Sequence, residues 1–178
     1  ISVIIVYLLN FFWNAFFCKI PSNTVRVFVL KFFFKMDIGE CSTIHRNVMF
    51  FSPWKITIGN GSNIQYGCFI DGRGGLVIGD NVDITLFVTI LTEDHDVRSQ
   101  SYDTRDRPVT IENDVVIGSK SLILPGSIIP KKTVIGAGTT VSGILHENKI
   151  YTSSPIVNIG ARSDKDLNYK VSYKRFLH

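Results

Sequence analysis

The side chain best suited to moving a proton near neutral pH is His95, which stands between Asp94 and Asp96 in the polar run LTEDHDVRSQSYDTRDRP. Imidazole has the unperturbed pKa closest to neutrality, so a residue of this kind is a natural general base for a hydroxyl. The sequence offers no covalent route beside it. Cys18 and Cys41 precede the run and Cys68 takes a compact place in the repeat described next, so no covalent enzyme intermediate is expected. A catalytic metal is not expected either. A histidine site needs three that converge, and His45, His95, His146 and His178 are scattered. The three cysteines are odd in number and lack CxxC spacing, and they read as buried thiols in a reducing compartment.

What must position His95 is a rhythm of six. Ile111, Ile117, Ile123, Ile129, Ile135 and Val141 stand at strict six-residue intervals, and the beat runs earlier through Ile38, Ile44, Phe50 and Ile56, then Ile58, Ile64 and Ile70, then Ile78, Ile84 and Ile90. Neither the helix period nor strand alternation has that spacing, whereas a parallel β-helix does. Three units make one triangular coil of about 18 residues, with one aliphatic side chain per face turned inward. Asn60, Asp80, Asn113 and Gly138 are expected at the corners, where left-handed backbone is tolerated. Between Ile90 and Ile111 the rhythm skips fifteen residues more than one hexad, and His95 lies in that gap. A polar loop on a rigid scaffold is where chemistry is usually placed. The stacking also suggests a cofactor wall. At 18-residue spacing Gly118 lies over Gly136 and Ser119 over Ala137, leaving a shallow groove fit for an extended ligand.

The ends differ in kind. Residues 1–17 are almost wholly apolar, broken by Ser2, Asn10 and Asn14, and a second apolar stretch from Val25 to Phe34 carries Arg26 and Lys31. We expect a helical segment over 1–36, either packed on the coil or serving as a peripheral membrane contact through residues 1–34, with the protein in the cytoplasm at the inner face of the membrane. No basic start or cleavage site marks a signal peptide, and a chain opening on Ile1 instead of Met is expected to have residues upstream. The β-helix itself is expected over 37–160 with a protruding loop at 92–108, followed by a basic tail or helix at 161–178. The net charge of +4 concentrates in that tail and forms no aromatic-interleaved stripe, so nucleic acid is not an expected partner.

The run HDVRSQSYDTRDRPVTIENDVVIGSKSLILPGSIIPKKTVIGAGTTVSG, with IDGRGGLVIGDNVDI upstream, resembles the catalytic half of the left-handed β-helix acyltransferases, in particular polysaccharide and sugar O-acetyltransferases. The resemblance implies an all-β, left-handed parallel β-helix, a homotrimer, and acetyl-coenzyme A held between neighbouring subunits. It implies acetyl transfer to a hydroxyl of a saccharide or sugar-nucleotide acceptor, with His95 on the family's catalytic histidine. An N-acetyltransferase acting on an amino-sugar nucleotide and a catalytically silent scaffold are the alternatives.

Carried over by position, Gln65 falls where relatives place an asparagine amide near the acceptor, and Asp71 and Arg73 in the next turn are candidate acceptor contacts. The resemblance sets the cofactor against Gly118, Ser119, Gly136, Ala137 and Ser142. Gly143 stands where relatives carry a phosphate-binding lysine and Val116 where they carry a tryptophan, leaving Lys120, Lys149 and Arg162 as candidates for the phosphates.

Overall fold

In a computed structural model, which describes residues 3–153, short parallel strands stack on three faces of a left-handed β-helix. The first face stacks Asp37–Ile38, Ile56–Ile58, Leu76–Ile78, Val109–Ile111 and Ile128–Ile129. The second stacks Thr43–Ile44, Asn63–Ile64, Asp83–Ile84, Val116–Ile117, Val134–Ile135 and Ile150–Tyr151, and the third Met49–Phe51, Phe69–Asp71, Thr89–Ile90, Leu122–Ile123 and Thr140–Val141. Successive side chains of a strand point to opposite sides, so a two-residue strand offers the core one aliphatic group and a three-residue strand of the first face offers two. Ile38, Ile58, Ile78, Ile111 and Ile129 pair into one such column, none more than 2% exposed. Burying each side chain contributes about 1.5–3 kcal/mol, repeated on every face of every coil.

The coils are not uniform. Register partners lie 20 residues apart between Ile38 and Ile58 and between Ile58 and Ile78, 33 apart between Ile78 and Ile111, and 18 apart between Ile111 and Ile129. The even 18-residue coil expected from the rhythm holds only for that last step. Every insertion falls on the same edge of the prism, where the third face turns into the first. There lie the 3-10 turn Pro53–Lys55, the turn Gly72–Gly75 and the segment Leu91–Pro108. The core tolerates inserts only where the chain leaves one face and has not yet entered the next.

The corners also differ from expectation. The left-handed residues are Cys41, Gly61, Asn81, Asp114 and Lys132 at one edge and Asn47, Gly67, Phe87, Lys120 and Gly138 at another. Gly138 is as expected, but Asn60, Asp80 and Asn113 each stand one place earlier. Their side-chain oxygens accept amides from the preceding coil: Glu40 N donates to Asn60 at 2.8 Å, Asn60 N to Asp80 at 2.6 Å and Asp80 N to Asn113 at 2.9 Å. These residues lock coil to coil instead of relieving backbone strain. Cys18 and Cys68 are buried, as read from the sequence, whereas Cys41 occupies one of the left-handed corners and is exposed.

Helix α1 (Val3–Ala15) and helix α2 (Asn23–Phe32) close the open end of the first coil. An uncovered strand edge presents unpaired backbone groups, and here side chains satisfy them. Asn14 donates to Phe50 O at 2.9 Å and accepts from Phe50 N at 3.0 Å, while Asn10 accepts from Ser52 N at 3.2 Å. On the next face Asn23 accepts from Ile44 N at 2.9 Å and Arg26 Nε donates to Ile44 O at 2.8 Å. Trp13, fully buried between Phe34 and Phe50, donates to Val48 O at 3.0 Å. Asn10, Asn14 and Arg26, which interrupt the apolar runs, are thus edge caps. Arg162 and the tail expected at 161–178 fall outside the described residues.

Candidate functional site

The long insertion folds as a β-hairpin rooted on the elaborated edge. Strand Glu93–His95 pairs antiparallel with Thr104–Asp106, in a register that sets Glu93 against Asp106, Asp94 against Arg105 and His95 against Thr104. Alternation along the strand separates the roles of Asp94 and His95. Asp94 accepts from Arg105 Nε at 2.8 Å and from Arg107 at 3.4 Å, and the Arg105 hydrogen bond holds the Asp94 carboxyl below the usual carboxylate range. Asp96 faces Arg105 at 3.6 Å. At the tip, Ser99 and Ser101 hydroxyls donate to Asp103 and lower its pKa in the same way.

Neither flanking carboxylate orients the histidine. The His95 ring stacks on Tyr102, with centroids 4.4 Å apart and planes 7° from parallel, and its Nδ1 lies 3.0 Å from Tyr102 O. A carbonyl oxygen only accepts, so Nδ1 carries the proton and the neutral ring presents its lone pair at Nε2. That nitrogen is at an exposed residue. The arrangement fixes the ring in tautomer and rotamer on an exposed strand of the hairpin. Tyr102, Arg105 and Arg107 were not singled out from the sequence, because their roles depend on the hairpin register and no spacing rule reveals it.

The hairpin root is held by a buried carboxylate. Asp71 is fully buried, accepting from Arg73 Nε at 2.9 Å, Arg73 N at 3.0 Å and Thr92 N at 3.2 Å. Thr92 Oγ1 donates to Asp71 O at 3.0 Å and accepts from Gly74 N at 2.8 Å, and Arg107 N donates to Thr92 O at 2.8 Å. The Arg73 guanidinium bridges Asp71 and Glu93 over the Phe51 ring, and its pKa is raised chiefly by the Asp71 hydrogen bond. Asp71 is therefore engaged within the chain, and it ties the hairpin to the coil. Arg73 remains half-exposed beside it. Gln65 is not free either: its amide donates to Asp83 at 3.0 Å.

The proposed wall forms where the second face turns into the third. Gly118 N donates to Ile135 O and Gly136 N to Tyr151 O, both at 2.7 Å, which sets Gly118 over Gly136 as the spacing indicated. A Cβ on Gly118 would stand 2.4 Å from Ala137 N, so only glycine allows this approach. Ser119 meets the Thr85 hydroxyl at 3.1 Å, while Lys120 and Ala137 are exposed. Ser142 is exposed at the far edge of the third face, beyond strand Thr140–Val141. Among the described residues no hydrogen bond or ring contact joins the hairpin to this wall, and no cluster of three or more His, Cys, Asp or Glu could hold a metal ion.

No protein-family model matches the sequence. Over 136 residues, 74% of this chain and 66% of the relative, the sequence is 32% identical to the galactoside O-acetyltransferase of Escherichia coli strain K12. Over 141 residues, 79% of this chain and 77% of the relative, it is 27% identical to a protein proposed as the colanic acid biosynthesis acetyltransferase WcaF of the same organism. The chain thus spans just under two thirds of the first relative. Among solved structures, a hexapeptide-repeat acetyltransferase from Vibrio cholerae superposes with a TM-score of 0.75 at 20% identity, covering 90% of this chain and 92% of the other. That protein has also been solved with acetyl-coenzyme A. At this identity the structural likeness concerns the fold.

Proposed function

Because the chain belongs to the hexapeptide-repeat sugar O-acetyltransferase family, we propose that it moves an acetyl group from acetyl-coenzyme A to a hydroxyl of a saccharide, with His95 as general base. The observation that carries the reading is the Nδ1 contact with Tyr102 O, which leaves Nε2 to receive the hydroxyl proton. The acceptor oxygen then attacks the thioester carbonyl, the carbon–sulfur bond breaks, and the imidazolium returns its proton to the departing sulfur. Each transfer requires the acceptor oxygen within hydrogen-bond reach of Nε2 and about 3–3.5 Å from the carbonyl carbon. The glycine-bearing edge supports binding of the extended cosubstrate, with Ser119, Ala137 and Ser142 along the third face and Lys120 as a candidate for a phosphate.

The base and this wall belong to different edges of one chain. We assign the complete site to the boundary between neighbouring subunits of a homotrimer, in which the hairpin of one copy reaches the wall of the next. Acceptor contact on this reading falls to Arg73. The test is thiol release from acetyl-coenzyme A across a panel of saccharides and sugar nucleotides. Acetylation of a hydroxyl sugar supports the reading, acetylation confined to amino sugars would replace it with N-acetyl transfer, and no turnover with any acceptor would favour a silent scaffold.

A further inference from the structure

The two helices that cap the coil have a second side. Their polar groups Asn10, Asn14, Asn23 and Arg26 turn toward the first coil, so the opposite side points away along the coil axis. That side is apolar and aromatic. Leu8, Phe11, Phe12, Phe16, Phe28 and Phe32 are between 47% and 59% exposed, and the phenylalanines pack on each other in two clusters. So continuous an exposed apolar patch is unusual and marks an interaction site.

The charges around the patch select the partner. Residues 1–36 contain no aspartate or glutamate, while Lys31 on α2 and Lys35 just past it are exposed at the Phe28 and Phe32 cluster. Lys35 Nζ lies 5.3 Å over the Phe32 ring, so its stem runs along apolar surface and its ammonium stands at the margin. Aromatic and aliphatic groups inside a purely cationic rim complement acyl chains beneath anionic headgroups. No described helix is long and apolar enough to cross a membrane. The 13 residues of α1 span about 20 Å against a hydrocarbon core of about 30 Å.

We propose that this face of α1 and α2 docks on an anionic lipid bilayer, with the coil standing upright on the membrane. In the trimer proposed above, with the three coils parallel, the three faces would lie in one plane and engage the surface together. The docking of a single face does not depend on that assembly.

Flotation of the full 178-residue chain tests this, using phosphatidylcholine vesicles with and without phosphatidylglycerol. The chain is expected to float with the anionic vesicles and to be released by salt. The double variant Lys31→Gln, Lys35→Gln should bind them about 25-fold more weakly, at roughly fivefold per lysine. Phe11→Ser with Phe28→Ser should lose binding while melting and turning over a soluble acceptor like the parent. Failure to float, or equal flotation with neutral vesicles, would overturn the proposal. So would self-association of the parent relieved by the two serines, which would make a second copy the occupant, or cross-links in the full chain between residues 154–178 and α1. Because the readout needs no acetyl transfer, its failure leaves the enzymatic reading standing.

Discussion

At the scale of the residue, the chemistry rests on one ring and what fixes it. If His95 is the base, His95→Ala lowers kcat by about 100-fold or more while acetyl-coenzyme A still binds, measured by steady-state kinetics and calorimetry. Near-parental turnover would remove His95 from the mechanism. Tyr102→Ala keeps the backbone carbonyl but deletes the stacked ring, so a smaller loss in kcat on the order of tenfold is expected, with little change in KM. The thiols provide a check on the geometry. Burial pushes the Cys68 pKa up to about 11, whereas Cys41 is exposed. An aromatic disulfide reagent at pH 8 should titrate Cys41 at once and reach Cys68 only after unfolding.

At the scale of the element, the hairpin and the capping helices are both held by side chains meeting backbone or charge. The Asp94 carboxyl has a depressed pKa because Arg105 binds its charged form. Its contribution to hairpin order is therefore full above the ordinary carboxylate pKa of about 3.9 and is lost as pH falls through the lower folded value. Amide exchange of Asp96, whose N–H donates to Asp103 O, should show protection that is steady from pH 5 to 8 and weaker below about 4. In Asp94→Asn that step disappears. In the cap, Asn14→Ala would strip partners from both Phe50 N and Phe50 O, at a cost of about 2–4 kcal/mol in denaturant unfolding. Turn-for-turn polar spacing in an apolar helix, Asn10 to Asn14, is the sequence trace of that cap.

At the scale of the whole molecule, a solenoid joins each coil only to its neighbours, so the proposed site would be assembled by stacking and then completed by association. A homotrimer of the 20.0 kDa chain predicts a sedimentation-equilibrium mass of about 60 kDa. If base and wall come from different copies, then mixing inactive His95→Ala with inactive Ala137→Trp and reassembling them restores about a quarter of the parental activity by random pairing. Recovery of nothing would confine the site to one chain. The stacking of all insertions on one edge bears on this point. It leaves the second-to-third edge free of insertions along its length, which is compatible with the proposed binding of an extended cosubstrate there.

The sequence by itself determined the coil, because a period of six that leaves one aliphatic group per face admits no other packed arrangement and needs no long-range information. It also isolated His95, since a break in so regular a beat is visible without coordinates. It gave the glycine stack at Gly118 and Gly136 once the local spacing was 18 residues. Only the tertiary structure decided which groups serve the histidine and which serve the frame. Hairpin register chose Tyr102 and not Asp94 or Asp96 as the partner of Nδ1, burial made Asp71 the anchor of the hairpin, and Asp83 took up the Gln65 amide. The physical reason is range. Periodic burial is written in neighbours along the chain, whereas hydrogen-bond partners are fixed by which coils and strands happen to lie side by side.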